Sequence, residues 1–340
     1  MSLLRPVPLS VLDLAVISSG STARDALEAS VALAQRADAL GYRRVWYAEH
    51  HNMASIASSA TSVLIAHIAA HTERIRLGSG GIMLPNHSPL TIAEQFGTLA
   101  TLHPGRIDLG LGRAPGTDQI TLRALRREPG AAESFPRDVL ELQGYLRGDS
   151  RVPGVEAVPG AGTDVPLYIL GSSLFGAQLA AALGLPYGFA SHFAPGALVD
   201  AVAIYRREFQ PSEQCTEPHV IAAVNAIVAD TDEEAEAERV RATRSRVAAI
   251  LGRRVAGGGR RLDDDELDAL VASPQGRHVA SMMTYTAAGS PTTAAEYLDW
   301  FIGHADADEL IVAPASRELA SRLRTLELLA DVAGLEPPLR

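Results

Sequence analysis

Eight short apolar runs able to form strands alternate along this chain with stretches whose apolar residues recur at helical spacing. The runs are Val11–Ile17, Arg44–Tyr47, Ile75–Leu77 continued by Ile82–Leu84 across Gly78-Ser79-Gly80-Gly81, Arg106–Gly112, Val165–Leu170, Tyr187–His192, Val220–Val228 and Glu309–Ala313. Parallel neighbours need a long crossover, usually a helix, so strict alternation predicts a parallel sheet, and eight strands close a (β/α)8 TIM barrel. The connecting pattern is helical in detail. Ala26, Leu27, Val31, Ala34, Ala37 and Leu40 share a face that ends at Gly41, and an Ala/Ser-rich stretch predicts a helix from Ser55 to His71. An open, doubly wound sheet is the alternative. Its support is Gly110, Gly112 and Gly116, whose spacing is wrong for a dinucleotide fingerprint. One domain over 1–340 is expected, with excursions near 148–164 and 252–288 where Gly and Pro replace periodicity.

The second strand ends in Glu49-His50-His51-Asn52, which delivers titratable groups to one rim of the sheet. Carboxyl ends of parallel strands are where α/β proteins bind ligands. The plainer explanation is that these histidines are hydrogen-bonded packing residues. A metal is not expected, because adjacent strand residues face opposite ways and no third ligand at metal spacing stands near His50 and His51. His67 and His71, four apart, fit an ordinary helix face.

Composition narrows the function. A net charge of −10, with no basic cluster interleaved with aromatics, argues against nucleic acid. The single cysteine, Cys215, forbids an internal disulfide and fits a reducing compartment. Val11–Ile17 is broken by Asp13 and has no basic segment before it, so it is a strand and not a signal peptide. No apolar run approaches the roughly 20 residues of a membrane span. A soluble, cytoplasmic protein without membrane partners is expected. The acidic runs Asp232-Glu233-Glu234 and Asp263-Asp264-Asp265-Glu266 open helices, and the second lacks the spacing of a calcium loop.

Five motifs occur together in one order: Ala48-Glu49-His50-His51, Leu77-Gly78-Ser79-Gly80-Gly81-Ile82-Met83-Leu84-Pro85, Gly105-Arg106-Ile107-Asp108-Leu109-Gly110-Leu111-Gly112-Arg113, Leu170-Gly171-Ser172-Ser173 and Gly289-Ser290-Pro291. In order and spacing the chain resembles the bacterial luciferase-like monooxygenases. The resemblance implies a luciferase-like barrel binding reduced flavin at the carboxyl ends of its strands. It makes His50 the acid/base beside the flavin, with Glu49 next to it. Arg113 and Ser173 fall on the flavin phosphate, with Gly171 and Ser172 alongside. Gly80-Gly81 falls on a third-strand bulge beneath the isoalloxazine, where the family can carry a non-proline cis peptide. Two departures, Gly176 for a hydroxyl ligand and Gly112 for a cysteine, speak against light emission.

Chemistry agrees with these roles. A phosphate suits a helix N-terminus with hydroxyls and a cation, and histidine titrates near neutrality. The function expected is an FMN-dependent monooxygenase, fed reduced FMN by a separate, transient flavin reductase. It uses dioxygen to oxidise a small apolar organic molecule such as an aldehyde or ketone. One phosphate site without a pyrophosphate cradle favours FMN over FAD. A deazaflavin-dependent hydride-transfer enzyme and a non-catalytic flavin-binding protein are the alternatives. A homodimer is expected, and 252–280, around Gly257–Arg261, is read either as a lid that excludes water or as a surface loop without a role.

Overall fold

The computed structural model describes residues 4–18, 20–114, 117–128, 130–252 and 262–336; the proposed lid segment Gly257–Arg261 lies outside them. Among the described residues nine strands form one parallel sheet: β1 (Leu9–Asp13), β2 (Arg44–Tyr47), β3 (Arg76–Met83), β4 (Ile107–Gly112), β5 (Leu167–Gly171), β6 (Tyr187–Phe189), β7 (Val220–Val228), β8 (Thr286–Gly289) and β9 (Glu309–Pro314). Neighbours pair in order from β1 to β7, and β9 joins β7 to β1, which closes an eight-stranded barrel. The expected (β/α)8 fold is therefore present. The ninth strand, β8, was not foreseen. It pairs with β7 over Asn225–Val228, beyond the point where short β6 has stopped pairing at Ala222. Its Thr-Ala-Ala-Gly carries too little apolar bulk to read as a strand alone.

Local chemistry sets the ends of the elements. The first helix, Ala23–Leu40, starts in a capping box between Thr22 and Asp25 and stops at Gly41, whose φ of 85° suits a residue without Cβ. β1 ends earlier than its apolar run because Asp13 Oδ1 accepts from Ala15 N and turns the chain. The helix expected from Ser55 is confined to Thr61–Ala69. Ser58 and Thr61 instead donate to Leu14 O and Ala48 O, which ties that loop to the carboxyl ends of β1 and β2. The excursion after Arg147 docks on the helix Pro89–Leu102, where Gly160 meets Ala93 and Gly97 with no room for a Cβ.

Strand alternation divides the core into two layers. Val45 and Tyr47 face the helices, while Arg44 and Trp46 face the lumen with Leu12, Tyr168, Ile221 and Ile311. The amino-terminal end of the lumen is ionic. Arg44 Nη1 donates to Asp108 (2.8 Å) and Tyr168 Oη (2.7 Å), Trp46 Nε1 donates to Asp108 (3.1 Å), and Ser10 Oγ donates to Glu309 (2.5 Å). Arg44 Nε lies 2.9 Å from Glu309 but off the line of a hydrogen bond, so that contact is ionic. Burial alone would lower the Arg44 pKa; Asp108 and Glu309 outweigh it and raise it.

Candidate active site

At the carboxyl end the strands release into loops. Directly after β2, buried Glu49 accepts from His51 Nε2 and His87 Nε2, each at 2.8 Å, and from Met83 N at 3.1 Å. Burial pushes its carboxyl pKa up, but these donors, His87 foremost, hold it below the ordinary value. Glu49 thus orients His51 and His87, and not His50. His87, in the loop after β3, was missed as its partner because nothing local links two residues so far apart. These three place ligand atoms within 4.8 Å of one another, the metal-competent set among the described residues that sequence spacing did not reveal. A metal there would have to displace both N–H donors from the carboxylate.

His50 behaves differently. Its backbone N–H donates to Ser58 O, but its ring Nδ1 is buried without a partner. Burial, partly offset by Glu49 and reinforced by His51, lowers its pKa and keeps it neutral at pH 7. A second histidine, His192, lies beyond the end of β6, with its carbonyl held by Asn225 Nδ2 at 2.7 Å. Its Nδ1 is also an orphan, and burial together with the charges of Arg246 and His50 drives its pKa down to about 3. Sequence reasoning saw His192 only as the tail of a strand.

The Gly80–Gly81 peptide is cis, and the β3–β4 ladder breaks between Ser79 and Ile82, as the bulge motif implied. The barrel itself also demands these glycines. A Cβ on Gly80 would meet Leu12 Cδ1 at 2.7 Å, and one on Gly81 would meet Gly110 O and Leu170 Cδ1 at 2.6 Å.

Across the rim, Arg113 follows β4 and places its guanidinium 4.0 Å over the ring of Phe175. Phe175 is in the first turn of the helix Leu174–Leu183, whose N-cap Ser173 makes no side-chain capping bond. Ser172 and Ser173 are exposed, and among the described residues Arg113 has no carboxylate partner. Gly176, the departure from a hydroxyl, is the position where that helix faces the Tyr187 ring, which an added Cβ would approach to 3.3 Å.

Fold and rim together define a (β/α)8-barrel protein that gathers imidazoles, a carboxylate and a cation at its ligand-binding end. The model of the luciferase-like monooxygenase family matches residues 7–302. A luciferase-like monooxygenase of Escherichia coli strain K12 is 46% identical over 329 residues, covering 96% of this chain and 97% of its own. The N-acetyl-S-alkylcysteine monooxygenase of Bacillus subtilis strain 168 is 35% identical over 333 residues, covering 96% and 98%. Among solved structures, apo-MsnO8 superposes with a TM-score of 0.85 at 36% identity, covering 98% and 99%. At the level of fold alone, two more structures agree. One is the oxygenating constituent of the 3,6-diketocamphane monooxygenase of Pseudomonas putida in complex with FMN (TM-score 0.70, 17% identity, 98% and 100% covered). The other is an F420-dependent secondary alcohol dehydrogenase (TM-score 0.67, 16% identity, 96% and 99% covered). The chain belongs to the luciferase-like monooxygenase family, and it is an oxidoreductase of that kind. No described helix is long and apolar enough to cross a membrane.

Proposed function

We propose that this protein is an FMN-dependent monooxygenase acting on a small organic molecule with dioxygen. The observation that carries the reading is Arg113 over Phe175 at the open first turn of the helix Leu174–Leu183. A cation, two free hydroxyls and unpaired backbone N–H groups there fit one phosphate. Arg113, Gly171, Ser172 and Ser173 would hold that phosphate, and the Gly80–Gly81 backbone would underlie the flavin ring. When bound, reduced FMN supplies the electrons that activate dioxygen. His50, neutral and with a free Nδ1, supplies the atom that takes and returns a proton. Glu49, by fixing His51 and His87, supports the wall beside it.

The oxidised centre is a carbonyl or a thioether. The B. subtilis relative is named for a thioether, and the P. putida structure, by fold only, for a ketone. A transient flavin reductase and a homodimer complete the reading; sedimentation with and without reductase tests both. The deazaflavin alternative keeps a foothold through the F420-dependent neighbour. Titration with FMN, FAD, F420 and riboflavin separates these. FMN should bind tightest and riboflavin should lose the phosphate contribution, whereas exclusive retention of FAD or F420 would sink the proposal.

A further inference from the structure

Between β7 and β8 the chain forms an insertion that begins with the helix Asp232–Val247 and continues through Asp264–Ala272 and Pro274–Ser281. Its first part lies at the carboxyl rim: Asp232 accepts from Ser290 N just after β8, and Glu238 accepts from Arg317 N just after β9. Most arginines of that helix have carboxylates. Arg239 pairs with Glu236 and Arg241 with Glu238, both at 2.6 Å, and Arg244 reaches Asp264 at 3.2 Å and Asp268 at 3.0 Å.

Arg246 is the exception. It is half-buried, its Nη1 is wholly buried without a hydrogen-bond partner, and no carboxylate among the described residues pairs with it. Burial lowers its pKa, yet a guanidinium stays charged at any ordinary pH. Its charge acts on His192, which in turn feels His50. Three buried and unpartnered nitrogens, on Arg246, His192 and His50, therefore belong to the segments after β7, β6 and β2, with His192 within electrostatic reach of each of the other two. A buried cation with no counter-ion is costly unless a ligand brings the anion.

We propose that Arg246, with His192 beside it, anchors a carboxylate on the substrate and holds the rest of the molecule near His50. This inference rests on the reading of the rim as a monooxygenase site and narrows the substrate to an anionic one, against the wholly apolar molecule expected from sequence. It gives the rim two separate cations, Arg113 on the β4–β5 side for a phosphate and Arg246 on the β7 side for the substrate.

The test compares benzoate with benzamide, an isosteric pair differing in charge, on the FMN-loaded and the FMN-free protein by calorimetry. Benzoate should bind roughly 10- to 100-fold tighter than benzamide, the span of a charge-assisted hydrogen bond. Arg246→Gln should erase that preference, Arg246→Lys should restore part of it, and FMN affinity should stay within about twofold by flavin fluorescence, well short of that same charge-assisted span. Equal binding of the two probes by the wild-type protein overturns the inference without needing any variant. So does a benzoate preference that survives Arg246→Gln, or a variant whose loss falls on FMN. A benzoate preference in a protein that binds no FMN would uphold the anion site and sink the cofactor reading alone.

Discussion

The two ends of the barrel lumen handle buried polarity in opposite ways. At the amino end, Arg44, Asp108, Glu309, Tyr168 and Trp46 answer one another within 3.2 Å. A hollow of about 470 Å³ opens there, lined by Arg43, Arg44, Cys215, His219 and Asp308 among others, and by size alone it would attract notice. Its charges are already matched: Arg43 and His219 lie 3.6 and 3.3 Å from Glu309. At the carboxyl end, His50, His192 and Arg246 keep buried nitrogens with no partner. Buried polar groups in folded proteins are normally satisfied. At the amino end even Arg44 Nε, which makes no hydrogen bond, has the Glu309 carboxylate at 2.9 Å, so that end belongs to the fold. The carboxyl end, whose orphans have no such ion pair among the described residues, awaits a ligand. That contrast locates function here better than the volume of any hollow.

Four experiments would break or sharpen the contrast. The largest effect is expected at His50. His50→Ala should keep the fold and FMN while slowing turnover about 100- to 10,000-fold, and stopped-flow kinetics beside a thermal melt reads both. His51→Ala should cost less rate and more stability, since His51 is tied to Glu49. Normal turnover in the His50 variant would return it to a packing role.

At the other end, Arg44→Met should cost about 3–5 kcal/mol of stability, because it strands Asp108 and Glu309 in the lumen. Flavin affinity of the folded fraction should not change. A large loss of FMN binding there would erase the distinction between the two ends.

Arg113→Ala should weaken FMN by about 1.5–3 kcal/mol and riboflavin by much less. Equal losses for both ligands, measured by fluorescence quenching, would show that Arg113 acts elsewhere than on a phosphate.

The smallest effect is a pH dependence. His192 has a pKa of about 3 when folded against 6.5 as a free side chain. The unfolded chain therefore takes up its proton first as the solution is acidified. Stability from this group is complete above pH 6.5, declines as pH falls, and stops declining below about 3. At pH 5 the loss should be about 2 kcal/mol relative to pH 7. His50, also depressed by burial, adds in the same direction. Urea titrations at the two pH values should show a visibly smaller loss in His192→Gln than in the wild-type protein; identical losses would mean that His192 is solvated.

Much of this was legible in the chain itself. Helical and strand periods are local properties, so the alternation, the ring of eight strands and the rim at Glu49-His50-His51 could be read without coordinates. The same holds for the helix that opens at Ser173 beneath Arg113, because caps and glycines act within a few residues. Small side chains hid β8, and the hydroxyls of Ser58 and Thr61, reaching back to other strands, shortened a helix that local pattern had extended.

What only the tertiary structure decided is which buried polar group meets which. Glu49 holds His51 and His87 and leaves His50 free. Gly80 and Gly81 make room for Leu12 and Leu170. Arg246, from an insertion whose sequence shows only a charged helix, comes within electrostatic reach of His192 and has no counter-ion among the described residues. A period repeats within a turn or two of chain, whereas the partner of a buried charge is set by closure of the whole barrel. For that reason the sequence determined the frame and the rim, and the fold determined what the rim lacks.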